Sequence, residues 1–145
     1  MSHPSASTPA PGSVLRRVIT SPEFPAPIAP YSPAIQAGQT LYISGQLGVN
    51  PATGELVEGG VAKEAEQALI NLGALLRVAG VDYANVVKVT VLLADINDFQ
   101  TVNQIYAKYF PRDPPARVAY QVGALPKGGR IEIEATAVVG NIRTE

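Results

Sequence analysis

Apolar residues at Val61, Ala65, Ala68, Leu69, Leu72, Leu76 and Ala79 recur at steps of three and four. That spacing predicts an amphipathic helix over 61–79, with Gly80 as its stop. A second helical face is written in Phe99, Val102, Tyr106, Tyr109 and Phe110. It is preceded by Asn97 and Gln100, which resemble a capping box, and ended by PRDPP. Elsewhere the period is two. AIQAGQTLYISG alternates around Gly38–Gln39 and reads as a hairpin. Asn85–Asp95 reads as a strand whose second half is apolar on nearly both faces. ARVAYQVGAL and RIEIEATAVVG read as a hairpin closed by PKGG, and Val14–Ser21 as a short strand. Pro22–Pro33 is too rich in proline for helix or central strand, and NPATGELVEGG is turn chemistry.

These elements add up to an α+β fold, a mixed sheet of about six strands with two helices on one face. A single domain over 14–145 is expected, behind a disordered tail at 1–13. Two helices cover one face of a sheet. The strand around Val89–Leu93, apolar on both sides, requires that the other face also be covered. A symmetric oligomer is the economical cover, and it places candidate sites at the seams between subunits.

Composition narrows the chemistry. The 145 residues contain 12 acids and 11 bases, and no run of like charge. A nucleic-acid surface is therefore not expected as the main function, because such surfaces need clustered Lys and Arg. No apolar run approaches the roughly 18 residues needed to cross a membrane. There is no cysteine, so thiol nucleophiles and disulfides are excluded. The one histidine, His3, lies in the tail, so a Ser-His-Asp triad is excluded and a metal site is not expected. GELVEGGVAKEA lacks the Lys-Ser/Thr pair of a phosphate loop. No cofactor is implied. The tail lacks acids and an apolar core and precedes Arg16 and Arg17. A cytoplasmic protein is expected, with a mitochondrial leader as the alternative.

Arg117, in PARVAYQ, opens an otherwise apolar strand, and RIEIEA sets Glu132 and Glu134 on one face of the next. A hairpin between the two strands brings the arginine and a glutamate together. Two readings follow. One is a structural ion pair at a sheet edge or seam. The other is a guanidinium that holds a substrate carboxylate through paired hydrogen bonds, with Glu132 managing protons on a water.

IAPYSPAIQ, LYISGQLGVNPATGELV, NVVKVTVLLADINDFQTVNQIY, PARVAYQV and LPKGGRIEIEATAV together resemble the RidA/YjgF family, in order and spacing, from about Arg16 to Gly140. The resemblance implies a chorismate-mutase-like fold and a homotrimer with ligand clefts between subunits. It implies hydrolysis of short-lived 2-enamino and 2-imino acids, such as 2-aminoacrylate, 2-iminopropanoate and 2-iminobutanoate, to 2-keto acids and ammonia. By the same resemblance, Arg117 binds the substrate carboxylate and Glu132 contacts the attacking water. Tyr31, Ser44, Gly45 and Asn103 line the cleft, and a backbone carbonyl at Ala119 sits beside the water. Glu134, on its own chemistry, reads as a structural partner.

Three positions depart from the usual family pattern. Ala119 replaces a frequent cysteine, Ala29 a glycine and Pro114 a phenylalanine. The changes at Ala29 and Pro114 bear on substrate size more than on reaction type. Two other functions stay open: a non-catalytic small-carboxylate-binding or chaperone-like trimer, and an RNA endonuclease or translation inhibitor. Glu132→Gln separates the first, since binding without turnover would survive it. A salt-dependent RNA shift separates the second.

Overall fold

Gly38, at φ 58°, turns the chain between β2 (Ala34–Ala37) and β3 (Thr40–Leu47), as the alternation predicts. The computed structural model describes residues 10–23, 27 and 29–145. Residues 1–9 of the predicted tail, with His3, and residues 24–26 and 28 of the proline-rich loop lie outside the described residues. β1 (Arg16–Ile19) pairs antiparallel with β2. A small separate ladder, β4 (Val49–Asn50) with β5 (Glu55–Leu56), forms where turn chemistry alone was expected.

The first helix, α1 (Val61–Val78), ends at Gly80, whose φ of 81° suits the left-handed stop. Its apolar stripe of Ala65, Ala68, Leu69, Leu72 and Leu76 is fully buried. After it come β6 (Val86–Leu93), α2 (Phe99–Tyr109), β7 (Ala116–Gln121) and β8 (Ile131–Val138). The main sheet has six strands in the order β1-β2-β3-β8-β6-β7. Both helices pack on one face, over Leu41, Ile43, Val89, Val91, Leu93, Ile131 and Ile133.

Two local expectations are corrected. Asn97 and Gln100 do not form a capping box. The Asp95 carboxylate accepts from the Asn97 amide at 2.9 Å, which winds Ile96–Asp98 into a short 3-10 turn, and α2 starts at Phe99 without a side-chain cap. The second correction bears on the site. β7 and β8 are not a hairpin. β7 pairs parallel with β6, and β8 pairs antiparallel with β6 on its other side. The cause is α2: a helix between two strands returns the chain to its starting end, so the strand that follows runs parallel to the one before. PKGG therefore belongs to a loop that crosses the end of β6. Val122 donates to the Leu93 carbonyl at one side of that crossing, and Ala94 donates to the Arg130 carbonyl at the other.

Two buried polar residues of α1 fix the end of the sheet where β3 and β8 meet. Asn71 donates to the carbonyls of Leu47 and Val49 at 3.2 and 2.8 Å. Glu64, only 4% exposed, accepts from the Arg130 amide at 2.8 Å and faces the Arg130 Nε at 3.7 Å. Buried acceptors and donors left unpaired cost roughly 1–3 kcal/mol each, so these bonds hold the strand ends to one geometry.

The sheet face away from the helices carries Val18, Tyr42, Val118 and Tyr120, which are 50%, 53%, 42% and 48% exposed. In the same face stand Thr90, Leu92, Glu132, Glu134 and Thr136. It is the half-apolar second face that the strand pattern required.

Candidate active site

Strand parity divides the predicted site residues between the two faces. Arg117 is in register with Val89 and Ala119 with Val91, so both point toward the helices. Glu132 is in register with Leu92 and Leu47, which places it on the open face. Within one protomer the sheet lies between Arg117 and Glu132. The juxtaposition expected from a β7–β8 hairpin does not occur.

The open-face half is a cleft of about 380 Å³ lined by Tyr31, Ser44, Gly45, Leu92, Pro126, Glu132 and Glu134. It is built around a break in the β3–β8 register between Ile43 and Gln46, where Ser44 and Gly45 bulge. Ser44 lines the cleft, but its hydroxyl donates to the Ser32 carbonyl at 2.6 Å, and its amide donates to the Pro33 carbonyl. Its work is to fasten the Tyr31 loop to β3. Gly45 is needed for space. A Cβ added there would lie 2.7 Å from the Glu132 carboxyl carbon and 2.9 Å from Oε2. Glu132 is flanked across the strands by Leu47 and Leu92. Burial raises its pKa above the ordinary carboxylate value, and the nearby Glu134 charge adds in the same direction.

Gly45→Ala is expected to keep the fold and lower kcat about a hundredfold, because a methyl group would push the carboxylate off its seat by roughly 1 Å. Circular dichroism and steady-state kinetics check it, and activity within twofold of wild type would show that the seat does not matter.

The helix-face half is built on Arg117. Its guanidinium carbon lies 4.7 Å from the Tyr106 ring centroid and 5.4 Å from that of Phe99. Stacking on the rings leaves the edge of the planar fork, with its N–H donors, directed elsewhere. Among the described residues Arg117 forms no ion pair; the pair found is Arg130 with Glu64. The structural-pair reading of Arg117 therefore fails within the protomer. Burial pushes the Tyr106 phenol up to about 12, and Arg117 partly offsets it. Asn103 lies one turn from both rings on α2. Its Oδ1 and the Tyr106 hydroxyl are the two buried side-chain atoms without a hydrogen-bond partner among the described residues. Ala119 lines a groove with Ile96, Asn97, Phe99, Gln100 and Thr101 beside this half.

Sequence reasoning missed the aromatic shelf, Leu92 and Pro126. Phe99 and Tyr106 were on one helical side from the start, but only the parallel β7 brings Arg117 over them.

The described residues hold no cluster of His, Cys, Asp and Glu suited to a metal, and no helix long and apolar enough to cross a membrane.

The family model described as Endoribonuclease L-PSP matches residues 21–139. The chain is 61% identical over 132 residues to the bovine protein named 2-iminobutanoate/2-iminopropanoate deaminase, covering 91% of this chain and 96% of the relative. It is 60% identical over 132 residues to the human protein of the same name, with the same coverage. The solved structure of RidA from an Antarctic Psychrobacter superposes with a TM-score of 0.81 at 42% identity, covering 85% of this chain and 99% of that one. The chain belongs to the RidA/YjgF family.

Proposed function

We propose that this protein is an enamine/imine deaminase that converts 2-imino and 2-enamino acids, such as 2-iminopropanoate and 2-iminobutanoate, to 2-keto acids and ammonia. The mammalian relatives at 60–61% identity carry that activity in their names. The observation that carries the reading is Arg117: a guanidinium stacked on two rings and paired with no carboxylate among the described residues. Such a group is set to take a small carboxylate through two parallel hydrogen bonds.

The working unit is a homotrimer. Because Arg117 and Glu132 sit on opposite sheet faces, the site is completed by two protomers. One gives the open-face cleft with Tyr31, Ser44, Gly45 and Glu132. Its neighbour gives Arg117, Ala119 and Asn103. The exposed Val118, Tyr120 and Tyr42 supply apolar surface for that contact.

The chemistry then needs little from the protein. Arg117 holds the carboxylate of the iminium acid and so orients the electrophilic carbon. Glu132 accepts a proton from water as the new C–O bond forms, and the C=N electron pair moves to nitrogen. Glu132 returns that proton to the nitrogen. The hydroxyl of the intermediate then loses its proton as the C–N bond breaks, giving the keto acid and, with that proton, ammonium. A carboxylate raised by burial suits both directions of transfer.

The test is ammonia release while 2-aminoacrylate is generated in situ. A rate above buffer supports the reading, and equality with buffer ends it. The stacked arginine would serve a non-catalytic acid-binding trimer as well, and buffer-level turnover with measurable keto-acid binding would select that reading. The family description names an endoribonuclease, but the balanced charge predicts no salt-dependent shift of RNA. A cytoplasmic location remains part of the proposal, with the acid-free tail keeping the mitochondrion as its alternative.

A further inference from the structure

Glu134 follows Glu132 by two residues on β8, so the two carboxylates leave the same face of the strand. Both line the 380 Å³ cleft. Glu134 is exposed within the protomer, so no buried ion pair fixes it there. Arg117 is on the other side of the sheet, and no ion pair joins Glu134 to any base among the described residues. Its cross-strand neighbour on β6 is Thr90, and on β3 it meets the Ser44–Gly45 bulge.

The charge that acts on Glu132 is that of Glu134, while Arg130, two residues before Glu132, is turned to Glu64. β3 brings Ser44, Gly45 and Leu47, none of which is charged. β6 brings Leu92 and Thr90, with Lys88 farther along, opposite Thr136. The loop before β2 brings the Tyr31 phenol, and the turn before β8 brings Pro126, next in sequence to Lys127. The trimer proposed above adds the partner subunit's Arg117, whose charge is met by the substrate carboxylate. Glu132 is half-buried and Glu134 exposed; burial raises the Glu132 pKa first, and the like charge of Glu134 in the same cleft adds to it.

We propose that Glu134 is a positioning residue that acts through Glu132: its negative charge holds the transferred proton on Glu132 until the departing nitrogen takes it. The inference rests on the deaminase reading and extends it from one carboxylate to an acid pair.

The experiment compares the pH dependence of kcat/KM for wild type, Glu134→Gln, Glu134→Asp and Glu132→Gln, with the imine-generating enzyme in excess. In Glu134→Gln the acid limb moves to lower pH. The ratio of kcat/KM near pH 5.5 to that near pH 8 rises roughly two- to fivefold, and KM changes little. Glu134→Asp, which keeps the charge, stays with wild type. An acid limb that does not move in Glu134→Gln, whatever happens to its melting temperature, overturns the proposal and leaves Glu134 a structural residue. A wild-type rate in Glu132→Gln sinks the base assignment itself, and this inference with it; the two failures are thus told apart.

Discussion

Arg117→Ala is expected to lower kcat/KM by roughly thirty- to several-thousandfold, the equivalent of about 2–5 kcal/mol for losing one partner of a hydrogen-bonded charge pair. Most of the loss should fall on KM, because the carboxylate proposed to meet the guanidinium does not change during the reaction. Arg117→Lys should recover only part of it. An ammonium places one charge but cannot present the flat fork that the Tyr106 and Phe99 rings support. The fold should survive both changes, since Arg117 joins no ion pair among the described residues. Steady-state ammonia release and keto-acid binding give the two constants separately. An alanine variant with wild-type KM would mean that the carboxylate is held elsewhere.

The second large effect is expected at Glu132→Gln, with the opposite signature. The amide is nearly the same size and still fits against Gly45, but it cannot accept a proton. kcat should fall by about 10²–10⁴-fold, the usual value of a positioned base, with KM little changed. In wild type the activity should decline on the acid side as Glu132 becomes protonated. Burial and Glu134 place that decline above the ordinary range of a glutamate. The acid limb should be absent from the residual activity of the glutamine variant. A variant that keeps both the rate and the limb would remove Glu132 from the chemistry.

How much of this is legible in the sequence depends on which kind of signal each part uses. Both helices are written in local periodicity, and Gly80 ends α1 where the pattern stops. The Gly38 turn follows from backbone freedom at one residue. The need for a covered second face follows from β6, whose Leu92 and Thr90 face away from the helices while Val89, Val91 and Leu93 face them.

The order of strands in the sheet is a different matter. β7 and β8 are consecutive and joined by turn residues, which is the local mark of a hairpin. The pairing was decided instead by α2, which returns the chain in parallel beside β6 and leaves β8 to cross to the other side. That non-local outcome moved Arg117 onto Tyr106 and Phe99 and left Glu132 on the opposite face. Alternation along each strand is visible in the sequence; which face of β7 matches which face of β8 is not. The Gly45 cleft shows the same limit. A glycine in ISGQ reads as a strand irregularity, but that its missing methyl group makes room for the Glu132 carboxylate depends on the β3–β8 register.

The central claim is that one protomer's Arg117 works with its neighbour's Glu132. It is tested most directly by mixing Arg117→Ala and Glu132→Gln subunits, each strongly impaired alone at substrate below KM, with different tags, and purifying the oligomers that carry both. In a trimer that carries both tags, one of the three sites joins an intact arginine to an intact glutamate whichever subunit is in excess, so about a third of wild-type ammonia release should return. If doubly tagged oligomers stay as impaired as their parents, the two residues do not meet across a subunit boundary.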